Sequence, residues 1–302
     1  INPGAGNSGA GSTYPSAVSK GFVLVGTTVY FSASDGTNGS ELWAYNSSNG
    51  TTWLVADINP SGSSNSGRHG GFNLVGTTLY FDADDGTTGR ELWAHDTSNG
   101  TTWRVANINS GDSNTARFYG ITLVGTTLFF DADDGGLGRE LWAHDTSNGT
   151  TWMTSDINNG STGGLDGSQT PFAVVGTTLY FEAQSGTQYE HLWAHNTSNG
   201  SSWLVSDLVQ DPGALAGFTI IGDTLYFDAT AYYSPYTGNE LWAHNTSNGT
   251  TWLVEDIQVG SNGGNPGREA GHFEVIGDVI FFDCQRTFNG QENVGAYNTS
   301  NS

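Results

Sequence analysis

Short runs of apolar residues recur along this chain and are separated by clusters of Gly, Asn, Asp and Ser. One representative stretch contains such runs at residues 71–75, 77–84, 90–96 and 101–108, each rich in β-branched or aromatic types. Runs of this length between turn-forming residues predict β-strands. No 3.6-residue period appears along the sequence, which argues against a helical solenoid. The pattern therefore predicts four strands in this stretch.

The same stretch recurs six times. The glycine of a Leu-Val-Gly-like motif lies at Gly26, Gly76, Gly125, Gly176, Gly222 and Gly277, with spacings of 46 to 55 residues. Four antiparallel strands per repeat and six repeats predict an all-β protein, a six-bladed β-propeller of four-stranded blades. A stacked β-solenoid is the architectural alternative. We expect one domain over residues 1–302, with repeats at about 21–70, 71–119, 120–170, 171–216, 217–271 and 272–302, and with residues 1–20 joining the last blade.

The last blade is expected to lack its outer strand in this chain. Residues 297–302 align with 95–100, the turn between third and fourth strands, and residues 1–3 align with 58–60, which follow a fourth strand. Three explanations are open: a short terminal segment lies outside the sequence shown, the blade has three strands, or a neighbouring molecule supplies the fourth. Strand addition between molecules in a head-to-tail manner would generate a filament.

All tryptophans fall at two repeat positions. The third strands carry Trp43, Trp93, Trp142, Trp193 and Trp242, and the fourth strands carry Trp53, Trp103, Trp152, Trp203 and Trp252. This regularity favours packing between blades over a role as sugar-binding platforms. The histidines that follow the third-strand tryptophans, namely His95, His144, His195 and His244, are expected to pack in the same way.

The third-strand motif resembles a known repeat. Glu-Leu-Trp occurs at 41–43, 91–93, 140–142 and 240–242, and Asp-Gly-x-x-Gly precedes it at 85–89. These residues resemble the ELWxxDGT repeats of secreted and surface microbial proteins, with a rhythm similar to kelch propellers. His191 and the Asn-Val-Gly at 293–295 depart from the pattern. The resemblance implies a propeller fold and an extracellular or cell-surface location, and it implies no common catalytic activity. The Ser-Asn-Gly-Thr-Thr-Trp turn also resembles a shortened Asp-box, which is not itself catalytic.

The charge balance limits the partners. Thirty acidic residues against eight basic ones give a net charge of −22, so the chain cannot build the basic face that a duplex nucleic acid requires. No apolar stretch is long enough to predict a membrane span. One cysteine, Cys284, excludes an internal disulfide framework and a cysteine-built zinc site.

Carboxylates cluster in and beside the loops between second and third strands. Clustered carboxylates with a turn-forming glycine are what Ca²⁺ requires, so we predict Ca²⁺ as a candidate cofactor and no organic cofactor. The alternative is that Asp-Gly simply forms tight turns. The predicted metal ligands are Asp82, Asp84, Asp85, Glu91, Asp131, Asp133, Asp134 and Glu140.

Asn-x-Ser/Thr glycosylation acceptors concentrate in the turns between third and fourth strands. A glycan-covered face would shield a surface structure, although Asn-Gly is also a favoured hairpin turn. The predicted sites are Asn38, Asn46, Asn49, Asn99, Asn148, Asn159, Asn196, Asn199, Asn245, Asn248 and Asn298. An insertion in the fifth repeat carries Tyr232, Tyr233 and Tyr236, which we predict as a binding or subunit-contact site because exposed tyrosines make good contact residues.

The sequence therefore favours a non-enzymatic extracellular structural or assembly glycoprotein, a filament or surface-layer subunit completed by strand exchange. Its expected partners are further copies of itself and cell-surface glycans. A lectin-like propeller is the alternative. A glycoside-cleaving enzyme would need a buried acid pair that breaks the repeat symmetry. The sequence shows no such pair, and no catalytic residue is assigned.

Overall fold

A computed structural model describes residues 21–111, 113–117, 119–165, 171–186, 190–210, 218–230, 238–257, 264, 266, 273–285 and 292–301. Throughout these residues the regular structure is β-strand, apart from one 3₁₀ turn at Thr299–Asn301. No helix in the described part of the chain is long and apolar enough to cross a membrane.

The chain forms two compact units, Ile1–Gly164 and Leu165–Ser302. The strands of the first unit are β1 (Phe22–Val25), β2 (Thr28–Ser34), β3 (Ser40–Asn46), β4 (Thr51–Ala56), β5 (Asn73–Val75), β6 (Thr78–Asp84), β7 (Arg90–Asp96), β8 (Thr102–Arg104), β9 (Thr122–Val124), β10 (Thr127–Asp133), β11 (Arg139–Asp145) and β12 (Thr150–Ser155). They form sheet I (β1–β4), sheet II (β5–β8) and sheet III (β9–β12), each antiparallel and in chain order.

The strands of the second unit are β13 (Ala173–Val175), β14 (Thr178–Gln184), β15 (Glu190–Asn196), β16 (Ser201–Gln210), β17 (Thr219–Ile221), β18 (Thr224–Thr230), β19 (Asn239–Asn245), β20 (Thr251–Glu255), β21 (Glu274–Ile276), β22 (Val279–Gln285) and β23 (Glu292–Asn298). They form sheet IV (β13–β16), sheet V (β17–β20) and sheet VI (β21–β23). One residue pair, Val209 with Thr230, joins sheets IV and V into a continuous eight-stranded sheet. Sheet VI has three strands among the residues that the structure describes.

The predicted all-β class is confirmed, and six antiparallel sheets of three or four strands fit the predicted blade count of a β-propeller-like fold. Among the described residues, sheet VI shows the first three strands of the predicted blade. Closure of the sheets into one ring, and their organisation as a single domain, stay predictions. Residues 1–20, expected to join the last blade, lie outside the described residues.

Within each unit, neighbouring sheets bury apolar residues against each other. Tyr30 and Leu42 of sheet I form one cluster with Leu79 and Phe81 of sheet II. The same kind of aromatic pair recurs at these contacts. The ring centroids of Tyr30 and His95 lie 5.5 Å apart, and Tyr80 with His144 and Tyr180 with His244 form equivalent pairs. Burial on both faces explains why the second strands read as near-continuous apolar runs. The packed role predicted for the histidines is confirmed for His95 and its three equivalents, which are buried.

The two tryptophan positions behave differently. The third-strand indoles are buried or half-buried, and Trp93 packs against the cluster between sheets I and II. The fourth-strand indoles remain 38–40% exposed, because no described strand pairs with the fourth strand on its outer side at these positions. The packing interpretation therefore holds for the third strands and only in part for the fourth.

Candidate functional site

The Glu of the Glu-Leu-Trp motif binds the loop that leads to the next sheet. The Glu91 carboxylate accepts the backbone N–H groups of Ile108 (3.1 Å) and Asn109 (3.3 Å). Glu140 does the same for Ile157, Asn158 and Gly164. Burial raises the pKa of both carboxyls to about 7, against the opposing effect of these hydrogen bonds. Glu41 and Glu240 accept the corresponding N–H groups in their own repeats.

The second strands of sheets II and III carry a buried ion pair. Asp82 lies 2.5 Å from Arg90 Nη1 and also accepts the N–H of Gly70 at 2.8 Å. In sheet III, Asp131 pairs with Arg139 at 2.6 Å. Both aspartates are fully buried. These carboxylates anchor a loop and a guanidinium group to the sheet.

The remaining predicted ligands form turns. Asp84 accepts the N–H of Gly86, and Asp85 accepts those of Thr87 and Thr88. Burial acts to raise the pKa of Asp85, but the hydrogen bonds outweigh it and lower that pKa to about 2. Asp133 and Asp134 accept the equivalent N–H groups. Such Asp side chains fix tight turns.

The eight predicted Ca²⁺ ligands therefore divide among loop anchors, ion pairs and turns. Within the described ranges, no three metal-ligating side chains come together. Calcium binding stays a prediction.

The predicted glycosylation sites occupy exposed turns. Asn49 Oδ1 accepts the N–H and hydroxyl of Thr51, and Asn199 and Asn248 repeat this arrangement. At Asn99 and Asn148, Nδ2 also donates to an aspartate. Because second and third strands pair from Thr78↔Asp96 to Asp84↔Arg90, these turns lie at the opposite end of a sheet from its acidic loop.

The other predicted acceptors divide by location. Asn46, Asn196, Asn245 and Asn298 begin the same kind of turn, and each accepts the N–H of a serine two residues later. Asn38 lies in an acidic loop and bonds to Asp35, whereas Asn159 is exposed in a connecting loop. Glycan occupancy stays a prediction. The predicted contact residues Tyr232, Tyr233 and Tyr236 lie outside the described residues.

Sheet VI has an open edge. β23 pairs with β22, and no described strand pairs with its other side. The side chain of Val294 on β23 is 80% exposed, whereas the leucines at the same position of sheets I–V are 0–3% exposed. This edge is the strongest candidate for a contact with another polypeptide.

Sequence reasoning missed one feature, a buried acid pair in sheet IV. Glu182 and Glu190 are 0% and 3% exposed, at the positions where sheet II has Asp82 and Arg90. The substitution of Glu for Arg at this repeat position was the available signal.

No family model and no curated protein matches this chain. Among solved structures, one from a study of two prolyl endopeptidases has a TM-score of 0.53 at 12% identity, covering 92% of this chain and 40% of the other. A puromycin hydrolase mutant gives 0.49 at 16% identity, covering 90% and 44%. TolB from Acinetobacter baumannii gives 0.42 at 14% identity, covering 74% and 50%. This chain thus spans half or less of the length of each. Likeness at this identity shows the fold alone.

The comparison corrects one prediction. We expected a protein that is not an enzyme, and a structure of prolyl endopeptidases shares this fold over most of the chain. The prediction is therefore contradicted, since a propeller-like domain of this kind occurs within peptidases. The fold gives no ground for excluding catalysis.

Proposed function

We propose that this chain is an extracellular or cell-surface structural glycoprotein whose copies assemble by strand addition at the open edge of β23. The single observation that carries the proposal is that edge. Five sheets have a fourth strand at this position, and sheet VI has none among the described residues.

The backbone groups at the edge are oriented for pairing. In sheet II, the Asp96 N–H donates to Thr101 O, and Leu92 O accepts from the Val105 N–H. The strand register makes Val294, Ala296 and Asn298 the equivalents of Leu92, Ala94 and Asp96. Since backbone direction alternates along a strand, the N–H and C=O of these three residues point toward the open edge.

An uncovered face adds to the open edge. Val294 and Ala296 are exposed, whereas the equivalent residues Leu92 and Ala94 are buried by the neighbouring sheet and its loops. A bare strand edge beside exposed apolar side chains is a template for another chain.

The occupant that fits is a fourth strand of the same sequence type. The fourth strands share a Thr/Ser-Thr/Ser-Trp core, as in Thr51–Ala56, and each pairs with a third strand whose backbone matches β23. A copy that receives such a strand at one end and provides one elsewhere makes a heterologous contact, and such contacts extend into filaments.

The extracellular, glycosylated setting has two supports. The Glu-Leu-Trp motifs resemble repeats of secreted and surface proteins, and Asn49, Asn99, Asn148, Asn199 and Asn248 lie exposed on turns. Glycans at these turns would leave the edge of β23 accessible, because they lie beyond the ends of the strands. Peptide mapping of the protein from its native source by mass spectrometry measures their occupancy.

The test uses Ala296. An Ala296→Pro variant removes the N–H that points to the open edge without removing a hydrogen bond to β22. We expect the wild-type protein to sediment as polymers and Ala296→Pro to sediment as single chains. Ala296→Val, which keeps the N–H, is the matched control and should polymerise. A Thr-Thr-Trp-Leu-Val-containing peptide should inhibit wild-type assembly. Wild-type protein that stays monomeric at high concentration, or polymers unaffected by Ala296→Pro, would refute the proposal.

Carbohydrate binding is the second candidate. It is favoured by Trp53, Trp103, Trp152, Trp203 and Trp252, whose indole rings are 38–40% exposed at one repeat position. Aromatic faces of this kind stack on sugar rings. Binding on a glycan array that Trp103→Ala weakens would support it, and an array without signal would reject it.

A further inference from the structure

One pair of side chains changes from sheet to sheet at a fixed place in the fold. The pair joins the fifth residue of the second strand to the first residue of the third strand, on one face of the sheet. In sheets I–V its members are Ser32 with Ser40, Asp82 with Arg90, Asp131 with Arg139, Glu182 with Glu190, and Asp228 with Asn239.

Sheets II and III show that this place holds a positive charge. The Arg90 guanidinium lies 2.5 Å from Asp82 and also donates to the backbone oxygen of Asn65 at 3.3 Å. Arg139 contacts Asp131 and Asn114 O in the same way. In sheet I, two hydroxyl groups meet at 2.9 Å and need no charge compensation.

Sheet IV places two carboxyl groups there. Glu182 and Glu190 are almost fully buried, and the Oε2 atom of Glu190 is buried without a hydrogen-bond partner among the described residues. Burial raises the pKa of Glu190, against the opposing effect of a hydrogen bond between its carboxyl group and that of Glu182. Ionised carboxylates are very costly to bury unless a positive charge compensates them. At this burial a sugar or peptide substrate has no access to the pair, so its arrangement does not suit an exposed catalytic site.

We propose that Glu182 and Glu190 bind a divalent cation of the calcium type, in the place that the guanidinium group occupies in sheets II and III. Hard cations select carboxylate oxygens, and two glutamates can offer up to four of them. The cation would link β14 to β15 as the ion pairs link β6 to β7 and β10 to β11. This site is separate from the acidic turns at Asp84 and Asp133.

The test introduces into sheet IV the Asp–Arg ion pair that sheet II has at this position. In the double variant Glu182→Asp/Glu190→Arg, the guanidinium takes the place of the cation. After chelation and dialysis, we expect about 1 mM Ca²⁺ to raise the unfolding temperature of the wild-type protein. The double variant should lose this response. Glu274→Gln, which removes an exposed acid, is the matched control and should keep it.

Direct binding provides the second readout. Equilibrium dialysis with ⁴⁵Ca²⁺ should show one Ca²⁺ fewer per chain in Glu190→Gln than in Glu274→Gln, with unchanged far-ultraviolet circular dichroism. Glu190→Gln keeps the side-chain volume, so this comparison stands if the double variant does not fold. Equal Ca²⁺ binding by the two single variants overturns the proposal. A wild-type unfolding temperature that responds to pH and not to Ca²⁺ also overturns it, because a shared proton would then compensate the pair.

Discussion

Two buried acids of sheet II have their charge compensated by neighbouring groups. Asp82 has Arg90 and the N–H of Gly70, whereas Glu91 has the N–H groups of Ile108 and Asn109. Both acids are fully buried. Removal of one partner therefore leaves a charge without its compensation, and the consequence is large for buried pairs and small for exposed ones.

Arg90→Ala tests this difference. We expect it to lower the free energy of unfolding by about 3–5 kcal/mol, because Asp82 stays buried without its guanidinium partner. Arg104→Ala is the control, since Arg104 and Asp85 form a more exposed pair at 3.2 Å, and it should cost less than about 1 kcal/mol. Chemical denaturation measures both. Equal losses in the two variants would contradict the buried role of Arg90.

Glu91 and Glu140 predict a pH dependence. Their pKa of about 7 in the folded protein lies above the ordinary value of 4.5. The folded protein therefore binds more protons than the unfolded chain between these values, and its stability falls as pH rises from about 4.5 to about 7. Buried histidines such as His95, whose pKa burial lowers, have the opposite effect.

A comparison of variants separates the two effects. The difference in unfolding free energy between wild type and Glu91→Gln/Glu140→Gln should decrease from pH 5 to pH 7.5, by on the order of 2 kcal/mol per carboxyl. Denaturant titrations at a series of pH values measure it. Parallel pH profiles for the two proteins would show that these carboxyls do not titrate on unfolding.

At the scale of elements, the hairpin of second and third strands was predicted with the least error. Arg90–Asp96 agrees with the predicted range, and Thr78–Asp84 begins one residue later than expected. The fourth strand was predicted to extend to residue 108 and ends at Arg104. The N–H groups of Ile108 and Asn109 bind the Glu91 carboxylate instead of a neighbouring strand, a contact that no strand propensity encodes.

Two glycines test how tightly loops lie on the strands. At Gly163, an added Cβ would lie 2.1 Å from the backbone nitrogen of Arg139, so Gly163→Ala should displace the loop and cost about 2–3 kcal/mol. At Gly100, φ is +77° and a Cβ would meet nothing within 4 Å. Gly100→Ala should therefore cost only the backbone strain, about 1 kcal/mol. Thermal unfolding measures both, and a larger loss at Gly100 would contradict this order.

At the scale of the whole molecule, a net charge of −22 acts against compaction. Salt screens exposed charges over about 8–10 Å at physiological strength. We therefore expect the unfolding temperature to rise when NaCl is increased at pH 7.5. KCl at equal ionic strength should give the same rise, since screening does not depend on the cation. A fall with salt would show that attractive surface pairs dominate.

The overall fold of this chain does not by itself indicate a biochemical activity. A structure of prolyl endopeptidases shares the propeller-like arrangement at 12% identity. The repeat architecture by itself therefore does not indicate whether a protein is an enzyme. Residues outside the repeat rule, such as Glu182, Glu190 and Val294, distinguish this chain from a regular repeat array.

The number of sheets, their strand order and the three described strands of sheet VI followed from the sequence, because strand period and repeat spacing are local properties. It also indicated which histidines pack between sheets. The roles of the acids became visible only in the folded chain. Asp82 and Glu91 resemble metal ligands in sequence, yet one meets Arg90 and the other meets loop N–H groups. The acid pair of Glu182 and Glu190 is likewise visible only in the structure. A loop separates the two residues in the sequence, and the pairing of β14 with β15 brings them together.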